Sequence, residues 1–148
     1  MNEKTASDTR AEQIRREHEE LRQLLGSVRR TLADRLETVA SVVEKLSDLC
    51  EHVETHFAEE ETGGFFDQVL EKEPRFGNRT QALQNEHVQL LAAVRKLAET
   101  SLAEGDSDDW WRRVEGEFHE FSKDLMRHES KENELLQDTL SVDIGAED

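Results

Sequence analysis

Apolar residues recurring at intervals of three and four around four histidines constrain this chain more than any other feature of its sequence. Ile14, His18, Leu21, Leu25, Val28 and Leu32 form one stripe, and Val39, Val42, Leu46, Leu49, Val53 and His56 a second. Leu83, His87, Leu90, Val94 and Leu97 form a third, and Trp111, Val114, Phe118, Phe121, Leu125, His128 and Leu135 a fourth. That spacing keeps each set on one side of an α-helix and turns the residues between them to water. With one Pro, no Tyr, and 36% charged residues against 34% hydrophobic, a sandwich or barrel is not expected; helices with one apolar face each are. The 148 residues amount to one domain.

The stripes come in two matching pairs. Four residues before His18 and His87 stand Ile14 and Leu83; three after, Leu21 and Leu90; seven after, Leu25 and Val94; ten after, Val28 and Leu97. Glu17 and Glu86 precede these two histidines directly. Around His56 and His128, Leu46 matches Phe118, Leu49 matches Phe121, Val53 matches Leu125, and Glu60 matches Glu132 four residues on. A helical hairpin is therefore used twice, which predicts an all-α, up-down-up-down four-helix bundle with internal two-fold pseudo-symmetry. The bundle is expected over residues 8–140, with flexible termini at 1–7 and 141–148.

Caps and breakers set the expected boundaries. Ser7 or Asp8 is the candidate cap of the first helix, Asp34 with Glu37 a capping box for the second, and Asn78 with Gln81 a cap for the third. Gly63-Gly64 should break the chain before Phe65 and Phe66, and Pro74 marks the middle connection. Glu104-Gly105-Asp106-Ser107 reads as the last turn, with Ser107 capping the fourth helix. Gly116 sits inside that helix with no evident reason.

In antiparallel helices, residues at one level are equidistant from the turn. Positions 18 and 56 are centred on residue 37, 60 and 87 on Glu73-Pro74, and 87 and 128 on Ser107-Asp108, all at expected turns. Short connections favour antiparallel neighbours, so His18, His56, Glu60, His87, His128 and Glu132 should meet at one depth inside the bundle. Within each His-x-x-x-Glu pair the two side chains share a face, about 6 Å apart along the axis. Burying carboxylates and imidazoles without a counter-charge is costly, and a pair of metal cations removes that cost. Nitrogen and oxygen donors without thiolate suit iron or manganese, and also zinc. The competing reading is a bundle with a hydrogen-bonded polar layer, which accounts poorly for the duplicated offsets.

The strings Glu17-His18-Glu19-Glu20-Leu21, His56-Phe57-Ala58-Glu59-Glu60-Glu61, Glu86-His87-Val88-Gln89-Leu90-Leu91 and His128-Glu129-Ser130-Lys131-Glu132 resemble the hemerythrin-like (HHE cation-binding) domain family, over residues from about 10 to 138. The resemblance implies a left-handed four-helix bundle with a non-haem di-iron centre (Fe-O-Fe or Fe-OH-Fe). Its metal ligands would be His18, His56, Glu60, His87, His128 and Glu132, with the two glutamates bridging. Oxygen-carrying hemerythrins have a second histidine on the third helix, one turn from the first; here Leu83 and Leu91 flank His87. Their last carboxylate is an aspartate at a spacing of five, where this chain has Glu132 at four. The set is similar instead to that of bacterial iron-centre repair proteins, although the sequence reads as lacking their amino-terminal cysteine-bearing module.

The function expected is binding or reduction of a small ligand (dioxygen, peroxide or nitric oxide) in oxidative or nitrosative stress. As an enzyme this would be a peroxidase- or catalase-like, or a nitric oxide-reducing, oxidoreductase. The alternative is a non-enzymatic iron or oxygen sensing, storage or delivery protein. A net charge of −16 disfavours nucleic acid and anionic membranes as partners, and no apolar run is long enough to span a bilayer. A single cysteine, Cys50, and no basic-then-apolar leader point to the cytoplasm. His52, Asp124 and Glu59 are candidates for a layer behind the ligands. His52 lies one turn before His56 with Asp124 as its counterpart, and it reads equally as a channel residue, an extra ligand or a solvated side chain. Glu59 has Lys131 as its counterpart, which favours the surface. His119 is half a turn out of phase with His128 and should face water.

Overall fold

The computed structural model describes residues 3–35, 37–103 and 107–147. Helix α1 spans Glu3–Asp34, α2 Val39–Thr62, α3 Phe65–Lys72, α4 Gly77–Ser101 and α5 Asp108–Glu147, with a 3-10 turn at Pro74–Phe76 leading into α4. No strand occurs among the described residues, so the fold is all-α as the periodicity predicts.

Contacts across the helix pairs fix their directions. Lys45 on α2 donates to Thr31 on α1, while further along α2 His56 meets Glu17: the partner's number falls as the residue's own rises. The same reversal relates α2 to α4 through Arg95 on Glu54 and His87 on Glu61. It relates α4 to α5 through Trp110 on Ser101 and Lys131 on Glu86, and α1 to α5 through Arg35 on Asp108 and Asn133 on His18. Helices α1 and α4 each pack on both α2 and α5, closing a ring of four antiparallel helices.

Two apolar clusters fill the ring. The larger includes Leu25, Leu32, Leu46, Val94, Trp110 and Phe118, at the end where α1 turns into α2 and α4 into α5. The smaller gathers Ala11, Ile14, Phe65, Phe66, Val69, Phe76, Leu83, Leu135 and Leu136 at the other end. His18 lies between Ile14 and Leu21, His87 between Leu83 and Leu90, and His128 between Leu125 and Leu135. A polar layer therefore separates the two clusters.

The break at Gly63-Gly64 is as expected, but an extra short helix follows it. Gly64 takes φ of 89°, in the left-handed region that favours glycine, and re-aims the chain. Helix α3 then buries Phe65, Phe66 and Val69 over the open end of the bundle. Most caps differ from expectation. Helix α1 runs through Ser7 and Asp8 from Glu3, so neither starts it. Asp34 ends α1, and Thr38 caps α2 by accepting from the Ser41 amide at 3.1 Å. Glu37 instead accepts from the Ser41 hydroxyl (2.5 Å) and Lys45 (2.9 Å). Helix α4 grows directly out of the 3-10 turn, which leaves Asn78 and Gln81 inside it without a capping role. Ser107 does cap α5, its hydroxyl accepting from the Trp110 amide at 3.3 Å. Residues 104–106 of the expected last turn lie outside the described residues. No described helix is long and apolar enough to cross a membrane.

Candidate metal centre

Each long helix delivers one histidine to the polar layer, and α2 and α5 each add a glutamate one turn further on. All six side chains are buried: His18, His56, His87, His128, Glu60 and Glu132 are between 0% and 4% exposed. Glu132 lies 3.2 Å from His18 Nε2, 3.5 Å from His87 Nε2 and 3.3 Å from His128 Nε2. Glu60 lies 3.7 Å from His18 Nε2, 3.5 Å from His56 Nε2 and 3.2 Å from His87 Nε2. The six residues predicted from spacing are thus brought to one depth.

Their arrangement is that of two overlapping sets. His18, His56, Glu60 and Glu132 offer one group of donor atoms, and His87, His128, Glu60 and Glu132 another; within each group the atoms lie within 4.8 Å of one another. Both carboxylates belong to both groups, as a bridging pair would. None of the short contacts is aligned as a hydrogen bond. The Nε2 atoms of all four histidines and both oxygens of Glu60 and Glu132 are buried without a hydrogen-bond partner. Native interiors rarely leave so many polar atoms unmatched, and each buried ion left so would cost several kcal/mol. Donors of this chemistry, converging and unmet, fit metal cations of the iron, manganese or zinc type.

The outward ring nitrogens tell the same story. His56 Nδ1 lies 3.0 Å from Glu17, and His128 Nδ1 lies 3.0 Å from Glu86. His87 Nδ1 lies 3.2 Å from Glu61, and His18 Nδ1 lies 2.9 Å from the side-chain oxygen of Asn133. An oxygen acceptor at Nδ1 holds the proton there, so the Nε2 lone pair faces inward. The four partners obey the internal repeat. Glu17 and Glu86 each precede one histidine and orient another on the next helix; Glu61 and Asn133 each follow a glutamate of the centre. The matching Glu17 and Glu86 are visible in the sequence, but the rings they hold, and the roles of Glu61 and Asn133, appear only once the helices are packed.

Without metal, protons serve as the counter-charge. Burial opposes a charge on His18 and His87, but the carboxylates of Glu132 and Glu60 outweigh it and push both up to about 10. Burial likewise opposes a charge on His128, and Glu132 and Glu86 raise it. His56 is lowered, mainly by burial. Burial raises Glu60, with the charge of Glu132 adding to it. Burial would raise Glu132 too, but His128, His18 and His87 hold it well below the usual carboxylate range.

The two halves are not identical. Phe57, one residue after His56, lies flat on His87, with ring centroids 3.9 Å apart and planes within 8°. At the matching place after His128 stands Glu129, which is 0% exposed and has both oxygens without a hydrogen-bond partner. Burial raises its pKa to about 7. The sequence repeat gives no signal for Glu129, because its counterpart is aromatic.

Outside the centre, a cleft of about 570 Å³ between α1 and α2 is lined by Glu17, Glu20, Asp48, Glu51, His52, His56 and Glu59. Its pseudo-symmetric counterpart between α4 and α5, about 290 Å³, contains Glu86, Asp124, Arg127 and Lys131. His52 and Asp124 are therefore exposed residues of two equivalent clefts, outside the converging donors. Glu59 is exposed and is raised chiefly by contact with Glu17, one residue removed from the centre. His119 faces water. Cys50 is half-buried beside Glu54, and burial raises its thiol to about 11.

Comparison with known proteins agrees with this geometry. The family model described as hemerythrin HHE cation binding domain matches residues 9–140. No curated protein and no solved structure matches the chain.

Proposed function

The chain belongs to the hemerythrin HHE cation-binding family, and on that premise we propose that it holds two iron ions bridged by Glu60 and Glu132 and binds or reduces a small ligand: dioxygen, peroxide or nitric oxide. The observation that carries this reading is the set of inward, unpartnered Nε2 and carboxylate atoms, each histidine locked from behind at Nδ1. When bound, the irons would supply electrons and an open coordination position.

The chain's own residues do the rest. His18 and His56 would hold one ion, His87 and His128 the other, and Glu60 and Glu132, which belong to both donor groups, would be shared between them. The apolar clusters above and below the layer keep bulk water away from it. Flanked by Leu83 and Leu91 rather than a second histidine, His87 brings the only imidazole of α4, which leaves room for an external ligand and favours turnover over reversible carriage. A lone Cys50 suits work in a reducing cytoplasm.

Anaerobic reconstitution with ferrous iron tests the reading. Two irons per chain, a near-ultraviolet absorption band that responds to dithionite and air, and peroxide consumption lost in His87→Ala are expected. Colourless protein that takes up stoichiometric zinc and ignores iron would count against redox work, and a stable oxygen adduct without turnover would restore carriage.

A further inference from the structure

The two pseudo-symmetric clefts beside the centre differ in charge. The one between α1 and α2, about 570 Å³, is walled by Glu17, Glu20, Asp48, Glu51 and Glu59 and by no described lysine or arginine. The one between α4 and α5 sets Arg127 and Lys131 against Glu86 and Asp124. The internal repeat pairs Glu20 with Gln89, Thr55 with Arg127 and Glu59 with Lys131, so the frame is duplicated and the charge is not. Glu20, Asp48 and Glu51 are exposed, and none of them forms an ion pair among the described residues.

Two buried groups of the centre border the acidic seam. His56, 4% exposed and with Nε2 unmet, stands in the wall of the wide cleft. Glu60, 1% exposed and with both oxygens unmet, lines a smaller cavity of about 50 Å³ together with Ile14, Gly63 and Phe65. Glu17 and Glu59 belong to the walls of both cavities, so the wide cleft adjoins the small one at those two carboxylates. A water molecule needs only about 10–15 Å³ of such space, so the inner cavity admits a small ion with part of its hydration. None of the six converging residues lines the α4–α5 cleft.

Resting on the metal reading above, we propose that the α1–α2 seam is the route by which divalent cations reach the centre. Glu20, Asp48 and Glu51 gather the cation at the mouth, Glu17 and Glu59 pass it inward, and His56 and Glu60 receive it. A cleft lined by one sign of charge concentrates its counter-ions and raises association rates by about 10–10³. The α4–α5 cleft has neither the uniform charge nor a converging donor in its wall, so cations do not load through it.

Stopped-flow uptake of ferrous iron by the full chain without oxygen, at low and at high salt, tests the route. One mouth variant, Glu20→Gln/Asp48→Asn/Glu51→Gln, removes three charges. A second, Glu51→Lys/Thr55→Arg, gives the mouth the residues that stand at 123 and 127 in the second hairpin. The control, Glu115→Gln/Glu120→Gln/Asp124→Asn, removes three exposed charges from α5, one of them in the opposite cleft. Both mouth variants should load about tenfold more slowly than wild type at low salt and reach the same final iron content. The deficit should shrink in about 1 M salt, where charges are screened within about 3 Å, and the control should load at the wild-type rate. Mouth variants that load at wild-type speed or end with less iron, or a control slowed as much as they are, would overturn the route and leave the metal reading standing. A wild type that takes up no iron would overturn both.

Discussion

Glu17 on α1 holds His56 on α2, its Oε2 3.0 Å from the ring's Nδ1. A carboxylate behind a metal-binding imidazole sets its tautomer and aim, and losing such a partner typically lowers affinity about 10–100-fold. Glu17→Ala is therefore expected to weaken metal binding by that order with little effect on the metal-free fold, and Glu17→Gln, which keeps an acceptor oxygen, to recover much of the loss. Competition against a chelator measures both; an unaltered affinity in Glu17→Ala would mean that packing alone orients the ring.

Protons and metal ions compete for the same place, which fixes the pH dependence. His18 and His87 titrate near 10 in the metal-free fold, above their ordinary 6.5. Their contribution to stability is whole below pH 6.5 and is lost as the pH rises through about 10. Glu129, raised from 4.5 to about 7, acts with the same sign in its own window: its contribution is whole below 4.5 and lost through about 7. Metal-free protein should melt at falling temperatures as the medium becomes alkaline, while metal uptake should release protons and tighten. Melts with and without metal should diverge from about pH 7 to 10; convergence would contradict the scheme.

Gly116 is exposed in the interior of α5, and a Cβ built there meets nothing within 4 Å. Gly116→Ala should stabilise by about 1 kcal/mol from helix propensity alone, raising the melting temperature by about 2–4 °C for a chain of this size. Calorimetry of the metal-free protein reads this directly, and a lower melting point would reveal a packing role absent from the structure.

Gly63 behaves oppositely. Its amide closes the last turn of α2 on the Glu59 carbonyl at 2.7 Å, and an added Cβ would collide with that same carbonyl. The turn carries Glu60, shared by both donor groups, and Glu61, which holds His87. Gly63→Ala is expected to cost about 1–3 kcal/mol and to weaken metal binding as well, a pairing that melts and chelator competition would show together. A variant that loses stability but keeps its metal affinity would separate the turn from the centre.

The six converging residues were legible because two signals coincide: helical spacing puts each histidine on an inward face, and the duplicated offsets put all of them at one level. Glu61 and Asn133 were not, since which ring a flanking side chain reaches depends on how closely neighbouring helices approach. Glu129 escaped because it breaks the repeat that found its neighbours. The caps at Asp34–Glu37 and Asn78–Gln81 went elsewhere for local reasons: Thr38 serves as well as an acid, and a helix that continues a 3-10 turn leaves no start to cap.

Glu132 from the second hairpin completes the donor group of the first, and Glu60 from the first completes that of the second. Neither hairpin alone owns a full set, so the halves are bound to one another like subunits that have traded an arm. A chain cut at the Glu73–Pro74 connection should accordingly rejoin as a two-piece complex when ions are supplied.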